Sequence, residues 1–278
     1  MNRNGPYSKA DIIEKVQAAL KDPASLYRQN FLNYTGSVDG ERYTELIAAE
    51  LLKNIHVLQS IPTITREESY KTPSHPELAT RIRPLSSGRE EEWIAIGMYG
   101  KTFKWIGEII DFQTPLKNKA SDDAGKIDLL SYDKETNIAF ILELKTPDSQ
   151  ETHLRSALEA YAYWKTVDHQ KLLRDFGIEG ARLHKAVLLI NNSKKIEDHL
   201  ASGSDRPFDF YKAAVESNCC IAQQDFARSH GTQAQRLIES VLSVDFFLLN
   251  AAKTSSIYGF VTDDDNEYDG YDEEYTDI

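Results

Sequence analysis

Cysteine is nearly absent from this 278-residue chain, and its only two cysteines, Cys219 and Cys220, are adjacent. Neighbouring cysteines rarely form a disulfide, and one pair makes neither a disulfide framework nor a structural zinc site. No apolar run approaches the roughly 20 residues that a membrane helix needs, and residues 1–6 do not resemble a signal peptide. We therefore expect a cytoplasmic protein that does not interact with membranes.

Several common catalytic spacings are also missing. The seven histidines never occur as His-x-x-x-His or His-Glu-x-x-His, and no Gly-x-Ser-x-Gly is present, which argues against zinc-hydrolase and serine-hydrolase sites. Gly100-Lys101-Thr102 is similar to the end of a Walker phosphate-binding loop. That motif requires glycine where this chain has Ala95, and a preceding strand where a helix is predicted, so we reject it.

The chain also has no excess of positive charge, because its net charge is −12. A negative net charge argues against a nucleic-acid substrate, because phosphate binding depends on Lys and Arg. The distribution of charge along the chain changes that conclusion. Residues 263–278 contain nine acidic residues and no basic residue, so removing them would change the net charge from −12 to −3. The rest of the chain is nearly balanced and can present a basic groove, while the tail has the composition of a disordered segment.

The clearest pattern in the chain is a predicted β-hairpin with charged residues at one end. A short apolar run, Ile127 to Leu130, contains Asp128, and a polar turn separates it from a second strand, Ile138 to Lys145. Because side chains alternate along a strand, Glu143 and Lys145 share one face while Leu142 and Leu144 share the other. Burying charged residues at the end of a strand is unfavourable unless their charge is neutralised, and a divalent cation can neutralise it.

Helix and strand patterns surround this hairpin in the order helix, three strands, helix, strand. The segments are Glu90–Tyr99, Ile106–Phe112, the two hairpin strands, Leu154–Trp164 and Ala186–Ile190. They lie in a predicted core domain at residues 88–200. Residues 1–87 are predicted to form helices at Lys9–Lys21 and Glu41–Leu58 followed by an irregular linker. A C-terminal helical region at 201–262, with helices at Asp205–Val215 and Gln223–Phe247, precedes the acidic tail at 263–278.

Asp128 followed by Glu143-Leu144-Lys145 resembles the motif of the PD-(D/E)xK nuclease superfamily, and the wider resemblance covers Arg89 to Asn191. It implies an α/β protein with a restriction-endonuclease-like core, to which this chain adds N- and C-terminal helices. It further implies hydrolysis of nucleic-acid phosphodiester bonds, with DNA favoured over RNA. The superfamily includes restriction, repair, recombination and defence enzymes.

The resemblance also implies roles for the motif residues. Asp128, Glu143 and the main-chain carbonyl of Leu144 are the expected ligands of Mg²⁺ or Mn²⁺, a hard cation that prefers oxygen donors. Lys145 is expected either to stabilise the transition state or to act on the attacking water, and the sequence does not choose between these roles. A structural ion pair at a sheet edge is the alternative for Asp128, Glu143 and Lys145.

Other candidate residues flank the motif. A glutamate of the first core helix is expected to join the site. We prefer Glu92 and keep Glu91 as the alternative. An equally simple explanation is that these acidic residues only interact favourably with the helix dipole at the N-terminus. Gln113, Lys126 and Tyr161 are candidate substrate contacts. For Tyr161 we prefer core packing beside its aromatic neighbours over a substrate contact. For the other two the alternative is simple exposure at a strand end.

Two further hypotheses belong to different functional classes. Members of the superfamily with degraded motifs have become binding modules, so a catalytically idle nuclease fold that binds nucleic acid or a protein partner is the main alternative. The second places the function in the acidic tail, where Tyr268, Tyr271 and Tyr275 lie among acidic residues. Such a tail would dock on a protein partner or imitate nucleic acid.

Overall fold

The computed structural model describes residues 7–79, 90–116, 125–146, 149–191 and 232–250. Its centre is a six-stranded sheet whose strands are neighbours in chain order. The strands are β3 Thr102–Phe103, β4 Gly107–Pro115, β5 Lys126–Asp133, β6 Ile138–Lys145, β7 Arg182–Asn191 and β8 Asp245–Asn250. A separate two-stranded ribbon pairs β1 Ser37–Val38 with β2 Glu41–Arg42.

Strand directions divide the sheet into two parts. Strands β3 to β6 pair antiparallel, whereas β6, β7 and β8 pair parallel. The predicted hairpin is confirmed, since β5 and β6 pair from Asp133 and Ile138 at the turn to Leu129 and Leu142. Parallel neighbours need a long crossover connection, and the chain between β6 and β7 provides one containing two helices.

Helices lie on both faces of the sheet. The described helices are α1 Lys9–Ala19, α2 Tyr43–Lys53, α3 Ile55–Gln59, α4 His75–Ala79, α5 Glu90–Met98, α6 His153–Thr166, α7 His169–Asp175 and α8 Thr232–Gln235, together with two 3₁₀ helices at Pro23–Arg28 and Asn30–Asn33 and a π-helix at Arg236–Leu242. Helix α5 packs with Phe112, Leu142 and Leu188 on one face. Helix α6 and the N-terminal helices pack with Ile141 and Val187 on the other. The α/β class is therefore confirmed.

The N-terminal helices follow their local sequence signals. Ser8 caps α1 by accepting a hydrogen bond from the Asp11 amide, and the Asp11 carboxylate accepts one from the Ser8 amide in return. The predicted helix from Glu41 to Leu58 is interrupted at Asn54, which separates α2 from α3. Helix α4 lies within the segment that was predicted to be an irregular linker.

The C-terminal prediction is wrong in one part. The helix predicted from Gln223 to Phe247 ends at Leu242 in the structure, and Asp245–Asn250 forms strand β8 instead. A short apolar run does not distinguish a buried strand from a buried helix, and parallel pairing with β7 decides the outcome here. The predicted helix Asp205–Val215, the acidic tail and residues 80–87 of the linker lie outside the described residues.

Within the ranges that the structure describes, no helix is both long and apolar enough to cross a bilayer. The longest of these helices, α6, has 14 residues, which is shorter than the roughly 20 residues that a membrane span requires.

We expect Gly107→Ala to destabilise the protein strongly. Gly107 has a φ of 75°, and a Cβ built there meets the Tyr132 carbonyl and the Asp133 backbone, so the paired strands would have to shift. We expect a loss of about 3 kcal/mol or more in the free energy of unfolding, measured by urea denaturation. Gly100→Ala is the matched control, because Gly100 also has a φ of 75° but nothing within 4 Å of the added carbon. Its cost should be about 1 kcal/mol, and equal losses in both variants would contradict this account.

Candidate active site

The charged residues of the motif lie where β5 and β6 separate. The ladder between these strands ends at Leu129 and Leu142, one residue before Asp128 and Glu143. Beyond that point the amide of Leu144 donates a 3.0 Å hydrogen bond to Asp128 Oδ2. The Asp128 side chain therefore satisfies a backbone group that a continuing ladder would have satisfied.

Lys145 lies at the centre of a cluster of carboxylates. Its Nζ is 2.6 Å from Glu143 Oε1, 2.9 Å from Glu151 Oε2 and 3.9 Å from Glu159 Oε2. The side chains of Lys145 and Glu143 are only 8% and 4% exposed. Glu143 and Lys145 share a face as the alternation of the strand predicts, and helix α6 covers them through Glu159.

Burial and mutual repulsion change the acidity of these carboxyls. Burial raises the pKa of Asp128 to about 6, and nearby Lys145 and the Leu144 amide oppose this shift. Burial, with the neighbouring Asp128 carboxyl, raises the pKa of Glu143 well above its usual range. For Lys145, burial disfavours the charged form, but the carboxylates of Glu143, Glu159 and Glu151 outweigh it, so that its pKa is raised.

Glu91 is the helix glutamate that reaches this cluster. Burial raises the pKa of Glu91, while Lys145 and the Thr146 amide favour its ionised form. Glu91 also acts electrostatically on Asp128 and Lys145. Because successive residues of an α-helix differ in direction by about 100°, Glu92 projects from another side of α5. Glu91, the alternative, is thus placed among the charges around Lys145, and the choice between it and Glu92, the residue preferred from the sequence, stays a prediction.

The donor set at this position fits a hard divalent cation. Glu143 Oε2 is buried without a hydrogen-bond partner among the described residues. The N–H and C=O of one residue in an extended strand point to the same edge, so the Leu144 carbonyl faces the edge of β6 that carries the hydrogen bond to Asp128. In the part of the chain that is described, no group of three or more His, Cys, Asp or Glu side chains is arranged around a metal position. Two carboxylates and one carbonyl are nevertheless enough for Mg²⁺, which usually retains several waters.

The three candidate substrate contacts have different surroundings. Gln113 lies beside the site, since its Nε2 donates a 3.1 Å hydrogen bond to Asp128 Oδ1. Lys126 is exposed at the first position of β5. Tyr161 is only 5% exposed and belongs to the apolar cluster between α6 and the sheet, with its ring 6.3 Å from that of Trp164. Tyr161 therefore packs in the core, which is the role preferred for it from the sequence.

Three residues of the site, Glu151, Glu159 and Tyr163, are not among those predicted from the sequence. Tyr163 donates a 2.8 Å hydrogen bond to Glu159 Oε1, and Arg155 Nη2 lies 3.1 Å from Glu151 Oε1. These residues recur at intervals of four: Glu151 lies two residues before α6, and Arg155, Glu159 and Tyr163 lie on one side of the helix. That spacing, directly after a Glu-Leu-Lys strand, is a sequence signal that could have identified them.

We expect Asp128→Asn to stabilise the metal-free protein at neutral pH. A carboxyl with a raised folded-state pKa loses its proton first in the unfolded chain, so stability falls between about pH 4, near the unfolded pKa, and about pH 6, and stays low above that. Removing the charge should increase the free energy of unfolding by about 1–3 kcal/mol near pH 7.5 and flatten its dependence on pH between about 4 and 6. Urea denaturation in a chelating buffer measures both quantities.

Asp133→Asn, in the same strand, is the control for this substitution. The pKa of Asp133 is lowered by hydrogen bonds from Thr136 and from the Glu135 amide. Its ionisation therefore favours the folded state above the unfolded pKa, and Asp133→Asn should not stabilise the protein at neutral pH. A loss of stability in Asp128→Asn would show that burial does not dominate the electrostatics of Asp128.

Comparisons with known proteins identify no relative. No protein-family model matches the sequence, no curated protein is significantly similar to it, and no solved structure is significantly similar to the fold. The functional interpretation accordingly depends on the geometry of the cluster around Lys145 and on the motif that its residues form.

Proposed function

We propose that the chain is a metal-dependent nuclease of the PD-(D/E)xK type, with a restriction-endonuclease-like core formed by α5, β4 to β6, α6 and β7. The observation that carries the proposal is the convergence of Asp128, Glu143, Lys145 and Glu91 at the point where β5 and β6 separate. Carboxyls placed at a hairpin end by chance would be expected to face water, whereas Glu143 is only 3% exposed and Asp128 and Glu91 are half-buried, which costs free energy.

The carboxylates and the Leu144 carbonyl would hold Mg²⁺ or Mn²⁺. When bound, the cation would act as a Lewis acid toward the phosphodiester and would lower the pKa of a water molecule bound to it. Asp128 would act with its orientation fixed, since Gln113 and the Leu144 amide each contact one of its oxygens. Glu143 would bind the cation through Oε2, the buried oxygen that has no hydrogen-bond partner among the described residues.

Lys145 would provide a fixed positive charge beside the phosphate. The carboxylates of Glu143, Glu159 and Glu151 favour its charged form. This environment supports stabilisation of negative charge in the transition state over the role of general base. Glu151 and Glu159 would keep the ammonium group in place when Glu143 binds the cation, because both approach the same Nζ.

The substrate class is inferred from chemistry and resemblance together. Oxygen ligands and a lysine around a hard cation suit hydrolysis of a phosphodiester, and the motif is that of a superfamily acting mainly on DNA. We propose DNA as the substrate, with no sequence preference assigned.

The central experiment is cleavage by the purified chain with Mg²⁺ or Mn²⁺, on single- and double-stranded DNA and on RNA. We expect DNA cleavage that a chelator abolishes. Asp128→Asn, Glu143→Gln and Lys145→Met should each reduce the rate by about 100-fold or more, because each removes a group that contacts the metal or the reacting phosphate.

Glu135→Gln and Lys134→Met are matched controls in the exposed turn of the same hairpin. Lys134 is 75% exposed and lies 3.6 Å from Glu108, a surface ion pair of small value, and both controls should retain the wild-type rate. Cleavage at wild-type rate in all three site variants would refute the site. If the chain cleaves no nucleic acid but binds DNA tightly, the catalytically idle fold is the correct interpretation.

A second experiment separates the two helix glutamates. We expect Glu91→Gln to lower the cleavage rate by about tenfold or more, because Glu91 interacts with Asp128 and Lys145, and groups that support metal ligands typically contribute this much. Glu92→Gln, one position along α5, should change the rate by less than about threefold. The opposite ranking would restore Glu92 as the helix residue of the site.

A further inference from the structure

A second buried polar cluster lies outside the motif. His75 Nδ1 is 2.6 Å from Asp111 Oδ1, and Thr114 Oγ1 donates a 2.7 Å hydrogen bond to Asp111 Oδ2. His75, Asp111 and Thr114 are 8%, 2% and 0% exposed. Both oxygens of the buried carboxyl are therefore occupied by side chains, and we call these three residues the His75 clamp.

The His75 clamp joins α4 to the outer part of β4. Strand β3 pairs only with Gly107 and Glu108, so Asp111 lies beyond the end of that edge strand. The ring of His75 stacks on Phe112 with centroids 4.3 Å apart. An imidazole from a distant part of the chain is thus fixed against β4 by a polar contact and an aromatic contact.

The clamp spans a residue in an unusual backbone conformation. Gln113 lies between Asp111 and Thr114 and has a φ of 48°. Residues with a Cβ seldom adopt this left-handed region inside a strand, and they remain there only when their surroundings enforce it. The register of β4 against β5 also shifts between Ile109 and Asp111.

The same irregularity affects the facing strand. Ile127 and Leu129 should share a face by strand alternation, yet Ile127 packs in the apolar cluster of α6 and Leu129 in that of α5. Asp128 lies between them, and Gln113 Nε2 donates to its Oδ1. The unusual conformation of Gln113 and the orientation of Asp128 are therefore parts of one local arrangement.

We propose that the His75 clamp is a positioning element for Asp128. By holding Asp111 and Thr114 on either side of Gln113, it keeps the Gln113 amide on Asp128 Oδ1, while Asp128 Oδ2 stays on the Leu144 amide. His75 is thereby linked to a candidate metal ligand through Asp111, Gln113 and the strand between them. The consequence for metal affinity rests on the proposed function, whereas the positioning of Asp128 does not.

Two measurements test the clamp. The first is hydrogen exchange of the Leu144 amide, which reports the orientation of Asp128 without any metal. The second is the dissociation constant for Mn²⁺ alone, from titration followed by magnetic resonance. In both His75→Ala and the milder Thr114→Val, we expect Leu144 exchange about tenfold faster and Mn²⁺ binding about tenfold weaker. Amides of paired residues 139–142 in β6 should keep their protection, which controls for general loosening of the fold.

Gln113→Gly separates positioning from general stability. Glycine adopts a positive φ without strain and carries no amide, so this variant should by itself show the faster Leu144 exchange and the weaker Mn²⁺ binding. Adding Thr114→Val to Gln113→Gly should then change neither quantity further. Additive effects in the double variant would show that the clamp acts only on stability.

Failure of this inference and failure of the proposed function give different results. If the wild-type chain does not bind Mn²⁺, the nuclease proposal fails, and Leu144 exchange still decides whether the clamp positions Asp128. If His75→Ala and Thr114→Val leave Leu144 exchange unchanged, the inference is overturned even when the wild-type chain binds Mn²⁺ and cleaves DNA.

Discussion

One buried lysine, Lys145, joins the central sheet to the region of helix α6 through ion pairs. Lys145 contacts a carboxylate from its own strand, Glu143, one from the residues just before α6, Glu151, and one within α6, Glu159. Removing charges from water is unfavourable unless they are compensated. Acidic groups outnumber basic ones around Lys145 once Asp128 and Glu91 are included. Lys145 is thus surrounded by more acidic groups than it can pair with, and burial together with this crowding raises the pKa values of Asp128, Glu143 and Glu91.

The parts of the site that could be predicted from the sequence are those set by local rules. Strand alternation placed Glu143 and Lys145 on one face, and the polar segment Tyr132–Asn137 predicted the hairpin that brings Asp128 beside them. These features depend on residues close in sequence, where the two-residue period of a strand leaves few choices.

Long-range features of the fold could not be predicted in the same way. The choice between Glu91 and Glu92 depends on the rotation of α5 against the sheet, which an acidic run of three residues does not specify. The apolar segment after Asp245 fits a helix or a strand until its pairing with β7 is known. The contact between His75 and Asp111 joins positions 36 residues apart, and nothing in the spacing of either residue indicates it.

The packing of the N-terminal region has a consequence for the smallest fragment that can fold. Tyr27, in a 3₁₀ helix, packs edge-on against Tyr163, whose hydroxyl donates to Glu159. Helices α1 and α2 share one apolar cluster with Ile141 and Val187 of the sheet. A fragment that began at the predicted core boundary, residue 88, would expose this cluster to water, so the N-terminal helices are an integral layer of the folded unit and cannot be treated as a separable accessory domain.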